Sequence, residues 1–262
     1  MNGFLSAVFV LCLLSGCAVQ GHDRLWGEAA SISPGWQRLG DSFVVAVRSP
    51  GTWLPIAGAL VFQLDDWDAE VSDWASRQTP VFGSIETADE RSTDLANLSQ
   101  NIYYLTALLV PSGKAPQQWS MNKLKGLAVG FAASESVSLT TDLLKEETAR
   151  ARPNAANRKS FPSGHASRAA TFATLASANL DFLPLSGSAT TLSRTGIYGL
   201  AAATAWARVE ARMHYPSDVL AGAALAHFLS LFFHNAFLAE GPLPTQVELS
   251  KNMAFLRVSW PY

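Results

Sequence analysis

Phe161-Pro162-Ser163-Gly164-His165 runs without interruption into Ala166-Ser167-Arg168-Ala169-Ala170-Thr171-Phe172-Ala173-Thr174-Leu175-Ala176-Ser177-Ala178-Asn179-Leu180. Alanine is the strongest helix former, and the run lacks the two-residue alternation of a strand, so a helix is expected over 165–180. Ser163 suits the N-cap, and Gly164 leaves room for backbone N–H groups to approach a ligand. An anion would then sit at the positive end of the helix dipole, beside His165. The bland alternative is a capped turn with an incidental histidine.

The same Ala-rich, apolar texture extends in both directions from this segment. It predicts helices near 53–64, 67–77, 92–110, 122–150, 193–211 and 216–239, separated by Thr79-Pro80, Pro111-Ser112-Gly113, Arg152-Pro153 and the loop at 184–188. The expected fold is all-α, a single-domain helical bundle with its active site at helix ends. Trp67, Val71 and Trp74 share one face opposite Asp66, Asp68, Glu70 and Asp73, which reads as an amphipathic surface helix with its acidic side in water. Val219 to Phe237 is the most apolar stretch. A membrane span and a buried central helix give the same signal there, and burial is the preferred reading. His227 and His234 on it read as core or interface histidines rather than metal ligands.

Of 262 residues, 48% are hydrophobic and 15% charged, enough apolar content for one sizeable core and too few charges for a disordered chain. A net charge of −2 argues against nucleic-acid binding, which needs a basic face. Residues 1–16 read as a lipoprotein-type signal peptide, with the apolar run Phe4 to Leu14 too short to span a bilayer comfortably. Leu14-Ser15-Gly16-Cys17 resembles a bacterial lipobox, which makes Cys17 the lipidation site and tethers the mature chain to a membrane through an N-terminal lipid anchor. A plain secretory signal or uncleaved anchor is the alternative. Only Cys17 survives processing, so no intramolecular disulfide is expected. The remaining divisions are a polar segment over 17–40, the helical domain over 41–240 with a motif core at 145–218, and a C-terminal tail over 241–262.

Two more stretches collect groups that suit phosphate. In Lys145-Glu146-Glu147-Thr148-Ala149-Arg150-Ala151-Arg152-Pro153, the cations Lys145 and Arg152 are seven residues apart, about two turns, and share a face if the helix continues to its end. Taken alone, this is equally a basic helix end complementing the dipole. In Arg208-Val209-Glu210-Ala211-Arg212-Met213-His214-Tyr215-Pro216-Ser217-Asp218, Pro216 fits the first turn of the last helix. That places Asp218 close enough to accept a hydrogen bond from one nitrogen of His214, which leaves the other free to attack. Alone, His-x-x-x-Asp is more often a structural pair.

In order and spacing, residues 145–218 resemble the motif of the type 2 phosphatidic acid phosphatase superfamily, which includes bacterial acid phosphatases, lipid phosphate phosphatases and vanadium haloperoxidases. The resemblance implies a metal-independent phosphatase with no cofactor. It gives His214 as the nucleophile forming a phosphohistidine, His165 as general acid and base, and Asp218 as the group orienting His214. Lys145, Arg152, Arg208, Ser163 and Gly164 would bind the phosphate. One position departs from the motif, since Ala207 stands where the family usually has Ser, and a hydroxyl is lost there. The implied substrates are monoesters or diphosphates of membrane lipids. The alternatives are soluble phosphomonoesters, vanadate-dependent halide oxidation, or a non-catalytic envelope lipoprotein. The expected location is the bacterial outer membrane, facing the periplasm, with the inner membrane as the alternative.

Overall fold

The computed structural model describes residues 24–238; the signal segment, Cys17 and the C-terminal tail lie outside the described residues. Eight α-helices form the fold, with no strand among the described residues: α1 Trp36–Arg48, α2 Pro50–Phe62, α3 Trp67–Gln78, α4 Ile85–Leu109, α5 Pro116–Thr148, α6 Gly164–Asn179, α7 Gly187–Glu210 and α8 Pro216–Phe233. A short 3-10 turn follows α6 and a π-helical turn, His234–Leu238, follows α8. The all-α expectation is borne out. The helices begin earlier than the apolar pattern suggests, since Ser84 and Ser186 each cap a polar first turn by accepting from the backbone N–H three residues on. The helix α1 is an addition that crosses the edge of the segment read as polar.

The central helix is α6, which packs against α4, α5, α7 and α8. Its small residues make this possible: Ala166, Ala169, Ala173 and Ala176 are fully or almost fully buried and let four neighbours come close, with Phe172 and Leu175 filling the core beside Tyr103. The last helix, α8, lies against α1, α2, α5 and α6, and every residue from Pro216 to Leu238 is buried or half-buried. That stretch is long and apolar enough to cross a membrane, at 23 residues and a mean hydropathy of 1.4, and 44% of its apolar window is buried inside the protein. His227 is buried within it, bonded to Ser49 at 2.8 Å and Thr174 at 2.9 Å.

Two expectations about faces and ends are corrected. In α3 the buried side carries Asp68, Ser72, Ala75 and Ser76, whereas Trp67 and Trp74 are nearly half exposed. Arg150 and Ser217, as partners of the Asp68 carboxylate, reverse the usual preference. The helix α5 stops at Thr148 because Ala149 takes a left-handed conformation, φ 41°, so Lys145 and Arg152 do not share a helix face. The segment before α1 is also anchored: Trp26 is fully buried, its backbone N–H donates to the Pro111 carbonyl at 2.8 Å, and the Lys123 ammonium lies 5.2 Å from its ring. The same ammonium donates to the carbonyls of Leu108 at 3.0 Å and Val110 at 2.7 Å, satisfying the end of α4. Glu210, fully buried at the end of α7, accepts from the backbone N–H groups of Val81 and Phe82 at 3.0 Å each and fixes the loop between α3 and α4.

Candidate active site

The site forms where the N-termini of α6 and α8 meet the C-termini of α5 and α7. Close approach of α6 and α8 depends on Gly222: a Cβ there would lie 2.8 Å from both the Ser163 carbonyl oxygen and Ser167 Oγ. The Ser163 N–H donates to the Asp218 carbonyl at 3.0 Å, which locks the two helix starts together. That amide is therefore spent, and the remaining orphan donors at the start of α6 begin with Gly164. A Cβ on Gly164 would come within 3.2 Å of Lys145 Nζ, so glycine leaves room for the ammonium over the helix start. Lys145 also pairs with Asp142 at 2.9 Å.

His214 is 2% exposed, and its Nδ1 donates to the Ser160 carbonyl at 2.6 Å. Asp218 Oδ2 is 3.9 Å from the same nitrogen, too far for the direct hydrogen bond expected from spacing. The carboxylate is occupied elsewhere: it accepts from Ser160 Oγ at 2.5 Å, the Tyr215 N–H at 2.9 Å and Arg150 at 2.6 Å. It therefore positions His214 through Ser160. Burial first, then the Arg208 and Arg152 guanidiniums, hold the His214 imidazole well below its ordinary pKa, so it is neutral with Nε2 available.

Arg208 is buried and donates to Asp89 and to Ser92 Oγ, the latter at 3.0 Å. A hydroxyl thus reaches Arg208 from α4, while the neighbouring Ala207 is fully buried. Arg152 arrives from the loop after α5, its backbone N–H held by the Asn157 carbonyl and its guanidinium touching Met213 Sδ at 3.3 Å. His165 Nε2 lies 3.3 Å from Thr93 Oγ1. Burial, followed by Arg208, lowers its pKa to about 4; Asp89 pulls the other way, and Arg168 and Lys145 lower it further. The structure thus brings Lys145, Arg152, Ser163, Gly164, His165, Arg208 and His214 to one place, with Asp218 behind them.

Eight buried side-chain polar atoms lack a partner among the described residues, and three of them are Ser163 Oγ, Arg152 Nε and Arg208 Nε. Buried donors without partners cost about 1–3 kcal/mol each. Arg152 and Arg208 both act on His214, and Ser163 stands at the N-cap of the helix that begins with Gly164 and His165, so the unpaired donors come from the elements that carry the two histidines. Among the described residues, no three His, Cys, Asp or Glu side chains converge as a metal site requires.

Sequence reading missed the support behind this site. Arg150 bridges Asp68 and Asp218, at 2.6 Å to each, and its guanidinium lies 4.3 Å above the Tyr215 ring. Asp68 also accepts the Ser217 N–H at 2.8 Å and the Ser217 hydroxyl. The only sequence signals were an extra arginine beside Arg152 and a serine beside Pro216.

The sequence model of the PAP2 superfamily matches residues 123–241. This segment is a PAP2 superfamily domain. It contains every candidate site residue from Lys145 to Asp218 and supports a type 2 phosphatase. No curated protein matches the chain in sequence. A solved structure shares the fold: the crystal structure of the first transmembrane PAP2 type phosphatidylglycerolphosphate phosphatase from Bacillus subtilis, with 21% identity and a TM-score of 0.52. The likeness covers 74% of this chain and 94% of that one.

Proposed function

We propose that the protein is a metal-independent phosphatase of lipid phosphates that works through a phosphohistidine on His214. The observation that carries this reading is the set of unpartnered buried donors, with Arg152 Nε and Arg208 Nε on guanidiniums that act on a neutral His214 and Ser163 Oγ at the start of the helix bearing His165. With Lys145 and the start of α6, they would hold the three phosphoryl oxygens and stabilise charge as it develops. Nε2 of His214 attacks phosphorus, the P–O bond to the alcohol breaks, and His165 supplies the proton to the leaving oxygen. In the second step neutral His165 takes a proton from water, which displaces His214 and releases phosphate. A bound phosphate dianion offsets Arg208 and Lys145, two of the groups that depress His165, and so favours its protonation when the acid is needed.

A lipid substrate is supported by an apolar surface at the site's flank. The helix α2 is almost entirely apolar yet turns Trp53, Leu54, Ile56, Leu60 and Val61 outward, and Phe43, Val44 and Val47 extend the patch onto α1. A patch of this composition marks an interaction surface, and a bilayer fits it. The lipobox at Leu14 to Cys17 supports a membrane tether, with the domain facing the periplasm from the outer membrane. Purified protein should release phosphate from p-nitrophenyl phosphate without added metal, and faster from lipid phosphates in detergent micelles. Background rates on both overturn the reading.

A further inference from the structure

A polar groove of about 300 Å³ leads away from the phosphate cradle between α4, α5 and α6. Lys145 and Gly164 close one end, and its sides carry Gln100 from α4, Ser134, Glu135 and Ser138 from α5, and Arg168 from α6. Lys145 and Ser138 are seven residues apart on one face of α5, and Glu135 lies a further turn along, so the groove follows that helix for about 15 Å. Its near end borders the general acid: Gly164 precedes His165 in the chain, and Lys145 and Arg168 both act on the His165 imidazole. Arg168 is one turn beyond His165 on α6, and Gln100 is two turns beyond Thr93, the residue touching His165, on α4. An alcohol whose oxygen receives its proton from His165 is therefore directed between those two helices.

The lining has spare hydrogen-bonding capacity. Ser136 and Thr140 of α5 tie their hydroxyls to carbonyls four residues earlier, whereas Ser134 and Ser138, on the groove side, make no such bond among the described residues. Glu135 is exposed to the groove, and Arg168 donates to Gln100 across it. An acyl chain would leave these groups desolvated and unpaired, a penalty of about 1–3 kcal/mol for each. A hydroxylated group would pair them. At about 300 Å³ the groove is at the lower end of small-molecule sites, the scale of a glycerol or sugar unit.

We propose that this groove is the leaving-group subsite and selects phosphate esters in which the alcohol bearing the phosphate is a polyol, such as a glycerol or sugar headgroup, with any lipid chains lying outside it. The inference rests on the phosphatase reading and is tested separately from it by comparing glycerol 1-phosphate with n-propyl phosphate, which differ by two hydroxyls. Wild-type kcat/KM should favour the glycerol ester by at least about 10-fold, since a site built to bond a hydroxyl rejects the analogue that lacks it. Glu135→Leu with Ser138→Ala, and separately Gln100→Leu, should bring the ratio to within about twofold of one while leaving propyl phosphate turnover unchanged. Equal wild-type rates, or a ratio the variants do not move, overturn the subsite and leave the phosphatase standing. No hydrolysis of either ester overturns the phosphatase reading, and the subsite with it. A lipid bearing a glycerol monophosphate headgroup, offered in detergent micelles, should exceed free glycerol 1-phosphate; the reverse order overturns the lipid as the source of the headgroup.

Discussion

The backbone carbonyl of Ser160 accepts the Nδ1–H of His214 at 2.6 Å, and this bond fixes the tautomer that leaves Nε2 free. Asp218 reinforces it indirectly, by holding the Ser160 hydroxyl at 2.5 Å. Because the two act in series, Ser160→Ala and Asp218→Asn should each lower kcat by a similar factor, and the double variant should lose little more than either single one. Strong non-additivity of this kind marks residues acting as a unit. A double variant whose loss equals the product of the single losses would contradict the series arrangement.

Asp89 pairs with Arg208 and also favours the charged form of His165. Asp89→Asn should therefore have two measurable consequences. Arg208 is released for phosphate, so inhibition by inorganic phosphate should tighten by several-fold. His165, with its pKa already near 4, loses a group that raises it, so the alkaline limb of the kcat/KM profile should move to lower pH. Movement to higher pH would show that the carboxylate is not acting on His165.

Two buried histidines and the half-buried His165 set the acid stability. His165, His227 and His234 each have folded-state values of about 4 against an ordinary 6.5, with desolvation as the main cause. Between those values the unfolded chain binds more protons than the folded one, so stability present above pH 6.5 is lost as pH falls toward about 4. Urea midpoints measured from pH 7 to pH 4 should decline through this window. His227→Gln should decline less steeply; a parallel decline would remove His227 from the account.

Gly222 permits the contact between the starts of α6 and α8. With Ser163 O and Ser167 Oγ each 2.8 Å from an added Cβ, Gly222→Ala must push the cradle apart, and overpacking of this sort costs about 1–3 kcal/mol. The melting temperature should fall by several degrees, and kcat by more than the stability loss alone explains, because Ser163 and Gly164 move. Unchanged kcat would mean that this contact does not position the site.

The features legible in sequence were the local ones. Ser163, Gly164 and His165 are consecutive and start a helix, and His214 to Asp218 span one loop into a helix start, so their chemistry shows in a few residues. Asp68, Arg150 and Asp218 come from three separate elements, and no spacing rule joins them. The face of α3 was misread for the same reason: hydrophobic periodicity assumes that carboxylates seek water, and Asp68 instead finds Arg150 and Ser217 inside the protein. The helix α5 ends two residues before the expected Arg150 because Ala149, rather than glycine, takes the left-handed turn. The exposed apolar side of α2 was likewise hidden, since composition records how apolar a helix is but not what covers it.

The most direct test of the central claim is to trap the phosphoenzyme. His165→Ala is expected to lose about 10²–10⁴-fold in turnover of alkyl phosphates, which need a proton on the leaving oxygen. With p-nitrophenyl phosphate the leaving group needs none, so the variant should form the intermediate and hydrolyse it slowly. After quenching, radiolabelled phosphate should be found on His214 as an acid-labile, base-stable adduct, absent when His214→Ala is added. Label on another residue, or equal labelling with and without His214, would contradict the account.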